Sequence, residues 1–314
     1  MKPEISFVIP FLDEERNLTP LCKQISDVMN KLKKSYEIIL IDDGSIDRSL
    51  QEARTIAAKN NNIKIIVFRR NFGKSAGFSA GFGQSSGKYI ISMDADLQDD
   101  PKEIPRFIKK LDEGFDLVVG WKKKRHDTAF FVNFSRVANW LIRRSTGLKI
   151  HDLNCGFKAY QRELAKSLNL YGEQFRFIPV FAKIRGFSIC EIPVTHHARK
   201  FGRSKYSAKK VLKGLLDFFT VLFFSGFGTR PMHFFGGIGL GGFGLGFIIA
   251  FVLAFQKIVY GYSLSDRPLL LLAALLMVFG VQLISMGILG EVILDRTLKS
   301  SDTYAIREII KRRK

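Results

Sequence analysis

The 314-residue sequence predicts an α/β fold with a mainly parallel sheet, followed by one amphipathic interfacial helix and two transmembrane helices. Short apolar runs alternate with helical patterns between Ile5 and Val119, which is typical of βαβ units. Some of these runs end in acidic turns, where open parallel sheets bind their ligands. Two long apolar runs lie near the C-terminal end, and each exceeds the roughly 20 residues that a bilayer core requires.

Five strands, separated by helices, are expected in the first part of the chain. The strands are Ile5–Ile9, Tyr36–Ile41, Ile63–Phe68, Tyr89–Met93 and Phe115–Val119. The helices are expected over residues 13–34, 47–60, 75–86 and 101–113. Asp13 is the expected N-cap of the first helix, and Pro101 is expected at the first position of the fourth, where a missing N–H costs nothing.

The order of elements loosens after Gly120. The pattern predicts a basic loop at 121–126, an amphipathic helix at 128–144, a loop at 150–160, a helix at 176–184 and a strand at 187–194. Residues 207–224 carry an apolar stripe beside three lysines, which favours a helix lying in a membrane interface.

The two apolar runs predict transmembrane helices at about 233–257 and 268–294, because no charged residue lies between His233 and Lys257 or between Arg267 and Glu291. Gly237 with Gly241, and Gly242 with Gly246, give the GxxxG spacing that favours close helix packing. Lys and Arg crowd both outer flanks, whereas the connecting loop has only two of them. The positive-inside rule therefore predicts that the N-terminal domain and both termini are cytoplasmic.

Composition narrows the classes of function. The net charge of +20 is largely explained by the basic flanks of the membrane runs, so no nucleic-acid partner is expected. The three cysteines are scattered, which argues against a disulfide framework or a zinc site. No GxGxxG follows the first strand, and Gly73-Lys74-Ser75 lacks the earlier glycine of a Walker motif because residue 68 is Phe.

The strongest chemical signal is the acidic turn after the fourth strand. Asp94 and Asp96 stand two residues apart, so on an extended backbone both carboxylates face the same side. Gln98 continues the alternation with an amide oxygen. Such oxygens suit a hard divalent cation that keeps positions open for phosphate, although a lone Asp-x-Asp is equally typical of an ordinary turn.

The motifs in their order and spacing resemble the family 2 glycosyltransferases of the Rossmann-like GT-A fold. More narrowly, the chain is similar to the dolichyl-phosphate mannose synthase and bactoprenyl-phosphate glucosyltransferase branch, including members with two C-terminal transmembrane helices. The motifs that carry the resemblance are Val8–Glu15, Ile41–Ser45, Asp94–Gln98, Ser135–Asn139, His151–Lys158 and Arg199–Lys205.

The resemblance implies transfer of a hexose from a UDP- or GDP-linked sugar to a polyprenyl phosphate, with inversion and with Mg²⁺ or Mn²⁺. The residues implied in binding the nucleotide sugar are Pro10, Glu14, Asp42, Asp94, Asp96, Arg199 and Lys205. Those implied in holding the metal are Asp94, Asp96 and Gln98, with Asp96 and Gln98 as direct ligands. Lys122 and Arg136 would receive the acceptor phosphate, and Asp96, Arg136 and Arg199 would be catalytic.

One position departs from the family pattern. Other members often carry Arg where Lys122 stands, and Lys, unlike Arg, does not grip phosphate bidentately. Lys123, Lys124 or Arg125 are therefore alternatives for the acceptor phosphate.

The expected organisation is a GT-A domain (1–206), an interfacial helix (207–230), two transmembrane helices (231–298) and a basic tail (299–314). A homo-oligomer stays open. Two other functions also stay open. One is transfer to another lipid such as diacylglycerol, with Asp152 as the general base. The other is a non-catalytic membrane scaffold or flippase component.

Overall fold

The computed structural model describes residues 2–122, 147–148, 150–172, 174–197, 230–261, 263 and 268–297, without the side chains of 295–297. The chain divides into two compact units, Met1–Leu222 and Phe223–Lys314. The helices predicted at 128–144 and 207–224 and the basic tail lie outside the described residues.

The first unit is built on a seven-stranded mixed sheet. Its strands are β1 Ile5–Phe11, β2 Tyr36–Asp42, β3 Ile63–Val67, β4 Tyr89–Ser92, β5 Leu117–Lys122, β6 Lys158–Gln161 and β7 Ile189–Val194. They lie in the order β3-β2-β1-β4-β6-β5-β7. Strands β1 to β4 are parallel, as are β5 and β7, while β6 runs antiparallel to both of its neighbours. The predicted mainly parallel α/β fold is confirmed.

Helices cover this sheet. They are α1 Leu18–Leu32, α2 Ser49–Lys59, α3 Lys74–Gln84, α4 Ile104–Asp112, α5 Arg162–Ser167 and α6 Ile178–Ile184. Short 3₁₀ turns, Pro101–Glu103 and Gln174–Phe177, precede α4 and α6. Every residue of β1 is buried, which explains why that strand reads as an almost continuous apolar run and not as an alternating one.

The polar exception in β1 is Ser6, which joins a buried network at the amino-end edge of the sheet. Its hydroxyl donates to Glu37 Oε1 at 2.6 Å. The same carboxylate accepts from the backbone N–H and hydroxyl of Ser86 and from Lys64 Nζ, at 2.6 to 2.7 Å. Burial alone would raise the pKa of Glu37, but these hydrogen bonds together lower it to about 2.

Two helix starts differ from the prediction. Asp13 is not the N-cap of α1, because that helix begins at Leu18 with Asn17 before it. Asp13 instead adopts a left-handed backbone with φ 52°, and its carboxylate accepts from Ile46 N–H. Pro101 opens a 3₁₀ turn and not α4 itself.

The expected loop at 150–160 is also wrong in its last part. Residues from Lys158 to Gln161 form β6, which inserts between β4 and β5. Four residues of mixed polarity give no periodic signal in the sequence. This strand is defined only by its hydrogen-bonded pairing with β4 on one side and β5 on the other. Strand β5 likewise continues through Trp121 and Lys122, which were expected in a loop, because both pair with β7.

The second unit contains α7 Pro231–Tyr260 and α8 Pro268–Thr297, both long and apolar enough to cross a bilayer. Gly246 lies against the backbone of α8, and Gly242 is within contact distance of that helix. Gly239, which the spacing rule did not single out, also packs closely on α8. No described atom lies within 4 Å of a Cβ at Gly237 or Gly241, so the first GxxxG pair does not form this contact.

The Glu37 network predicts a pH-dependent contribution to stability. Because the folded pKa is depressed, the contribution is complete above the unfolded value of about 4.5 and is lost as pH falls toward about 2. A depression of this size corresponds to up to about 3 kcal/mol. Thermal unfolding of the detergent-purified chain should therefore show Glu37→Gln well below wild type in Tm at pH 7, with the gap closing below pH 4. Glu163→Gln, an exposed carboxylate change, is the control. A Tm gap independent of pH would contradict the assignment.

Candidate active site

The predicted site residues of the described part of the chain meet at the carboxyl edge of the sheet. Pro10 lies near the end of β1, and Asp42 is the last residue of β2, paired in register with Phe11. Asp94 follows the end of β4, which lies on the other side of β1. Parallel pairing therefore brings three separate sequence motifs to one edge.

Hydrogen bonds join the loops that follow β1 and β2. The backbone N–H groups of Asp13 and Glu14 donate to the hydroxyls of Ser45 and Ser49, at 3.1 and 2.7 Å. The buried carboxylate of Asp42 accepts from Ser45 N–H at 3.0 Å. These bonds tie the segment that carries Glu14 to the segment that follows Asp42. Both side chains are predicted for the nucleotide pocket.

A second set of contacts ties the β3–α3 loop to the same edge. The carboxylate of Asp43 accepts from the backbone N–H groups of Phe72 and Gly73, at 2.7 and 3.0 Å. Gly44 has φ +78°, and a Cβ there would overlap the backbone of Arg70, so glycine is required for this approach. The loop thereby places Lys74, the first residue of α3, next to Asp94 in the acidic turn.

Lys74 forms an ion pair with Asp94, and its ammonium also lies over the rings of Phe78 and Phe175. Burial raises the pKa of Asp94, but Lys74 and Lys122 outweigh it and lower the pKa to about 2. Asp94 is therefore a carboxylate near pH 7.

The remainder of the acidic turn is compact. Asp96 Oδ1 accepts from Gln98 N–H at 3.2 Å, and Leu97 between them adopts φ 61°. Gly156 packs directly on the Asp94 carboxylate, and any Cβ at position 156 would overlap it. Sequence reasoning missed this contact because it depends on β6 lying next to β4.

The donor chemistry of the turn fits a hard divalent cation. Asp96 and Gln98 offer oxygen atoms, as Mg²⁺ and Mn²⁺ prefer, while Asp94 is engaged by Lys74. Within the described ranges, no group of three or more His, Cys, Asp or Glu side chains could hold a metal ion. A cation here would therefore take few protein ligands and complete its shell with water or phosphate oxygens.

Behind the turn lies Lys158, a fully buried lysine that the sequence did not single out. Its ammonium donates to the carbonyl oxygen of Cys155, and burial lowers its pKa to about 8. Asp152, the candidate base of the alternative function, is buried in the same loop, where its Oδ1 accepts from Asn154 N–H at 3.1 Å. The Asp152 carboxylate thus caps its own loop.

Lys122, predicted to bind the acceptor phosphate, lies at the end of β5 and is mostly buried beside Asp99. The other basic residues predicted for the site, Arg136, Arg199, Lys205 and the alternatives Lys123, Lys124 and Arg125, lie outside the described residues.

A mainly parallel sheet with an acidic turn at its carboxyl edge, where Lys74 and Lys122 face carboxylates, has the arrangement of α/β proteins that bind their ligands at that edge. Residues 6–168 match the family model described as glycosyl transferase family 2. The chain belongs to this family and is a glycosyltransferase.

Two curated relatives align over nearly the whole chain. Dodecaprenyl-phosphate galacturonate synthase of Rhizobium johnstonii is 38% identical over 313 residues, covering 98% of this chain and 93% of the relative. Undecaprenyl-phosphate 4-deoxy-4-formamido-L-arabinose transferase of Pseudomonas aeruginosa is 36% identical over 290 residues, covering 91% and 84%. The resemblance to the polyprenyl-phosphate branch of the family is confirmed.

Solved structures agree on the fold. Glucosyl-3-phosphoglycerate synthase of Mycobacterium tuberculosis, crystallised with Mn²⁺, UDP-glucose and phosphoglyceric acid, matches with a TM-score of 0.57. The match covers 71% of this chain and 79% of that chain at 20% sequence identity. Likeness at this identity establishes the GT-A fold alone.

The contact between Gly156 and Asp94 is testable. Gly156→Ala should displace the carboxylate or its loop, lowering Tm by several degrees, since overpacking costs about 1–3 kcal/mol, and reducing glycosyl transfer about tenfold or more. Gly83→Ala is the control, because a Cβ there, near the C-terminal end of α3, meets no described atom within 4 Å. Equal behaviour of the two variants in thermal unfolding and transfer assays would show that the contact is unimportant.

Proposed function

We propose that this protein transfers a sugar from a nucleoside-diphosphate sugar to a polyprenyl phosphate, with inversion at the anomeric carbon. The observation that carries the proposal is the combination, in one chain, of an acidic sheet edge faced by lysines and two bilayer-length helices. Its near full-length similarity to relatives named for dodecaprenyl and undecaprenyl phosphate supports the acceptor class. The donor nucleotide, UDP or GDP, and the hexose are left to experiment.

Donor binding is assigned to the carboxyl ends of β1, β2 and β4 and to the loops that follow them. Pro10, Glu14 and Asp42 would line the nucleotide pocket, a role supported by the hydrogen bonds that join their loops. Asp96 and Gln98 would hold Mg²⁺ or Mn²⁺, with Asp94 beside them. When bound, the cation supplies positive charge where the diphosphate departs. Arg199 and Lys205 are assigned to the same leaving group on the family resemblance.

The acceptor is a nucleophile that needs no general base. A phosphate monoester has a second pKa of about 6, so a polyprenyl phosphate is largely dianionic near pH 7. One of its oxygens forms the new bond to the anomeric carbon as the bond to the nucleoside diphosphate breaks. Lys122 and Arg136 are assigned to hold it in line. The diacylglycerol alternative would require a base such as Asp152, whose side chain lies buried in the loop before β6.

The membrane arrangement is part of the proposal. Residues 1–206 would form the cytoplasmic catalytic domain, 207–230 an interfacial helix, and α7 and α8 the anchor, with both termini cytoplasmic. This arrangement lets the hydrocarbon tail of the acceptor stay in lipid while its phosphate reaches a water-soluble donor. The acidic turn keeps both aspartates, with Asp96 buried and Asp94 held by Lys74. This weighs against a degenerate scaffold, in which such costly groups would have no use.

The first test is a transfer assay on detergent-purified protein with labelled UDP- and GDP-sugars, a polyprenyl phosphate, and Mg²⁺ or Mn²⁺. One donor should give a lipid-linked product that a chelator abolishes. Asp96→Asn should lower the rate about 100-fold or more, since it removes a group that holds the transition-state charge in place. Asp27→Asn, an exposed change in α1, should not.

The product configuration tests the displacement. NMR of the lipid-linked sugar should show the anomeric configuration opposite to that of the donor. Retained configuration would exclude the direct displacement, and wild-type transfer by Asp96→Asn would exclude the assigned metal site.

A further inference from the structure

A buried cluster of charged and polar groups lies beneath the acidic turn. The Asp99 side chain is fully buried, and Lys122 and His196 remain only 15% and 17% exposed. Lys122 Nζ lies 3.3 Å from Asp99 Oδ1, and His196 Nδ1 lies 3.8 Å from the same oxygen. The three residues come from the turn after β4, the end of β5 and the segment after β7. The mechanism above uses Lys122 but neither Asp99 nor His196.

The hydrogen bonding of this cluster is incomplete. Asp99 Oδ1 and His196 Nδ1 are buried atoms without a hydrogen-bond partner among the described residues. Lys122 faces Asp99 as an ion pair only. This contrasts with Glu37, whose carboxylate is bonded by Ser6, Lys64 and Ser86. A buried ion pair with unused hydrogen-bonding capacity is a poor source of stability, so its value lies in orienting its members.

Lys122 is the member that gains from orientation. A free lysine side chain has four rotatable bonds, and ordering it on a ligand costs entropy. Asp99 holds the ammonium before any ligand arrives, and Lys122 is anchored at its backbone by pairing with Val194. An ammonium has three N–H donors, so an ion pair with one carboxylate leaves capacity for a second anion.

The cluster is also joined to the donor side of the site. Residues 98–100 and 196–197 form a clasp, in which Asp99 and His196 pair as an antiparallel bridge. His197 N–H donates to the Gln98 carbonyl at 2.8 Å, and Gln98 Nε2 donates to the His197 carbonyl at 3.3 Å. Asp99 is therefore the next residue after a candidate metal ligand and, at the same time, the partner of the candidate acceptor cation.

We propose that Asp99 is a positioning residue, whose buried carboxylate orients the Lys122 ammonium toward the phosphate of the lipid acceptor. Through the clasp it keeps that ammonium in register with the turn that binds the donor. This inference rests on the proposed function, since it assigns Asp99 a part in acceptor binding for the same reaction. It predicts that loss of the Asp99 charge damages use of the acceptor and leaves donor binding intact.

The test compares steady-state kinetics of the full-length protein in detergent. Asp99→Asn should raise the KM for polyprenyl phosphate about tenfold or more, as expected for loss of an oriented charge-assisted contact. The donor KM and the Kd for the nucleoside diphosphate should stay within about twofold. Glu37→Gln is the matched control, because it removes a buried, ion-paired carboxylate at the opposite edge of the sheet. That control should lower Tm and leave the acceptor KM unchanged.

A double-mutant cycle tests whether Asp99 acts through Lys122. The double variant with Asp99→Asn and Lys122→Met should be no worse in acceptor KM than Lys122→Met alone, since the charge then has nothing to orient. Asp99→Glu keeps the carboxylate but moves it relative to Lys122, and it provides a second variant to test. It should raise the acceptor KM less than Asp99→Asn does, by about three- to tenfold. The inference would be overturned if the two substitutions raised the acceptor KM independently, so that their fold-changes multiply in the double variant. It would also be overturned if the donor Kd moved as far as the acceptor KM, or if a folded Asp99 variant kept the acceptor KM of wild type.

The same assays distinguish failure of the proposed function from failure of the Asp99 role. If wild type makes no lipid-linked sugar from any donor, the proposed function fails, and the role of Asp99 fails with it. If wild type makes product and the Asp99 variants behave like Glu37→Gln, the function stands and only the positioning role is lost.

Discussion

The structure depends on neutralising the acidic side chains that lie buried or half-buried at one edge of the mainly parallel sheet. Parallel pairing collects strand ends, and here it collects the carboxylates of Asp42, Asp94 and Asp96. Such groups tolerate burial only when cations or N–H donors face them. The backbone of the β2–α2 loop serves Asp42, while Lys74 serves Asp94. The loop contacts around Gly44 and Gly156 follow from this need, because each brings a separate segment close to a carboxylate.

The two edges of the sheet differ in how they stabilise a buried carboxylate. At the amino-end edge, Glu37 has a complete set of hydrogen bonds and a strongly lowered pKa, so its burial contributes to stability. At the carboxyl edge, Asp99 is paired with Lys122 but keeps an unbonded oxygen, and burial together with neighbouring carboxylates raises its pKa. The Glu37 network is fully hydrogen-bonded, as a purely structural network should be. The Asp99 cluster keeps unused hydrogen-bonding capacity, which agrees with its proposed part in binding a ligand.

Much of this arrangement was predictable from local sequence. Five strands, the acidic turn and the apolar helices carry strong signals, because apolar runs and charged strand ends are local features. The errors lie where the tertiary structure decides. Strand β6 is formed by pairing with β4 and β5, which are distant from it in sequence. Asp13 does not cap α1, and its carboxylate accepts instead from Ile46 N–H in another loop. Lys74 was set aside with a failed Walker pattern, since its contact with Asp94, 20 residues away, depends on how the sheet is ordered.

The proposed acceptor explains why Lys74 and Lys122 both lie at this edge. A hydroxyl acceptor would need a base, and a base needs a carboxylate or imidazole free to take a proton. A lipid phosphate brings its own negative charge, so the site must instead attract and align an anion. Carboxylates in the same site would repel that anion unless lysines neutralise them first. Lys74 and Lys122 each face a carboxylate, and a cation held by Asp96 and Gln98 would add the remaining positive charge. In the proposed reaction, pairing before binding would let one edge hold two anionic substrates at once.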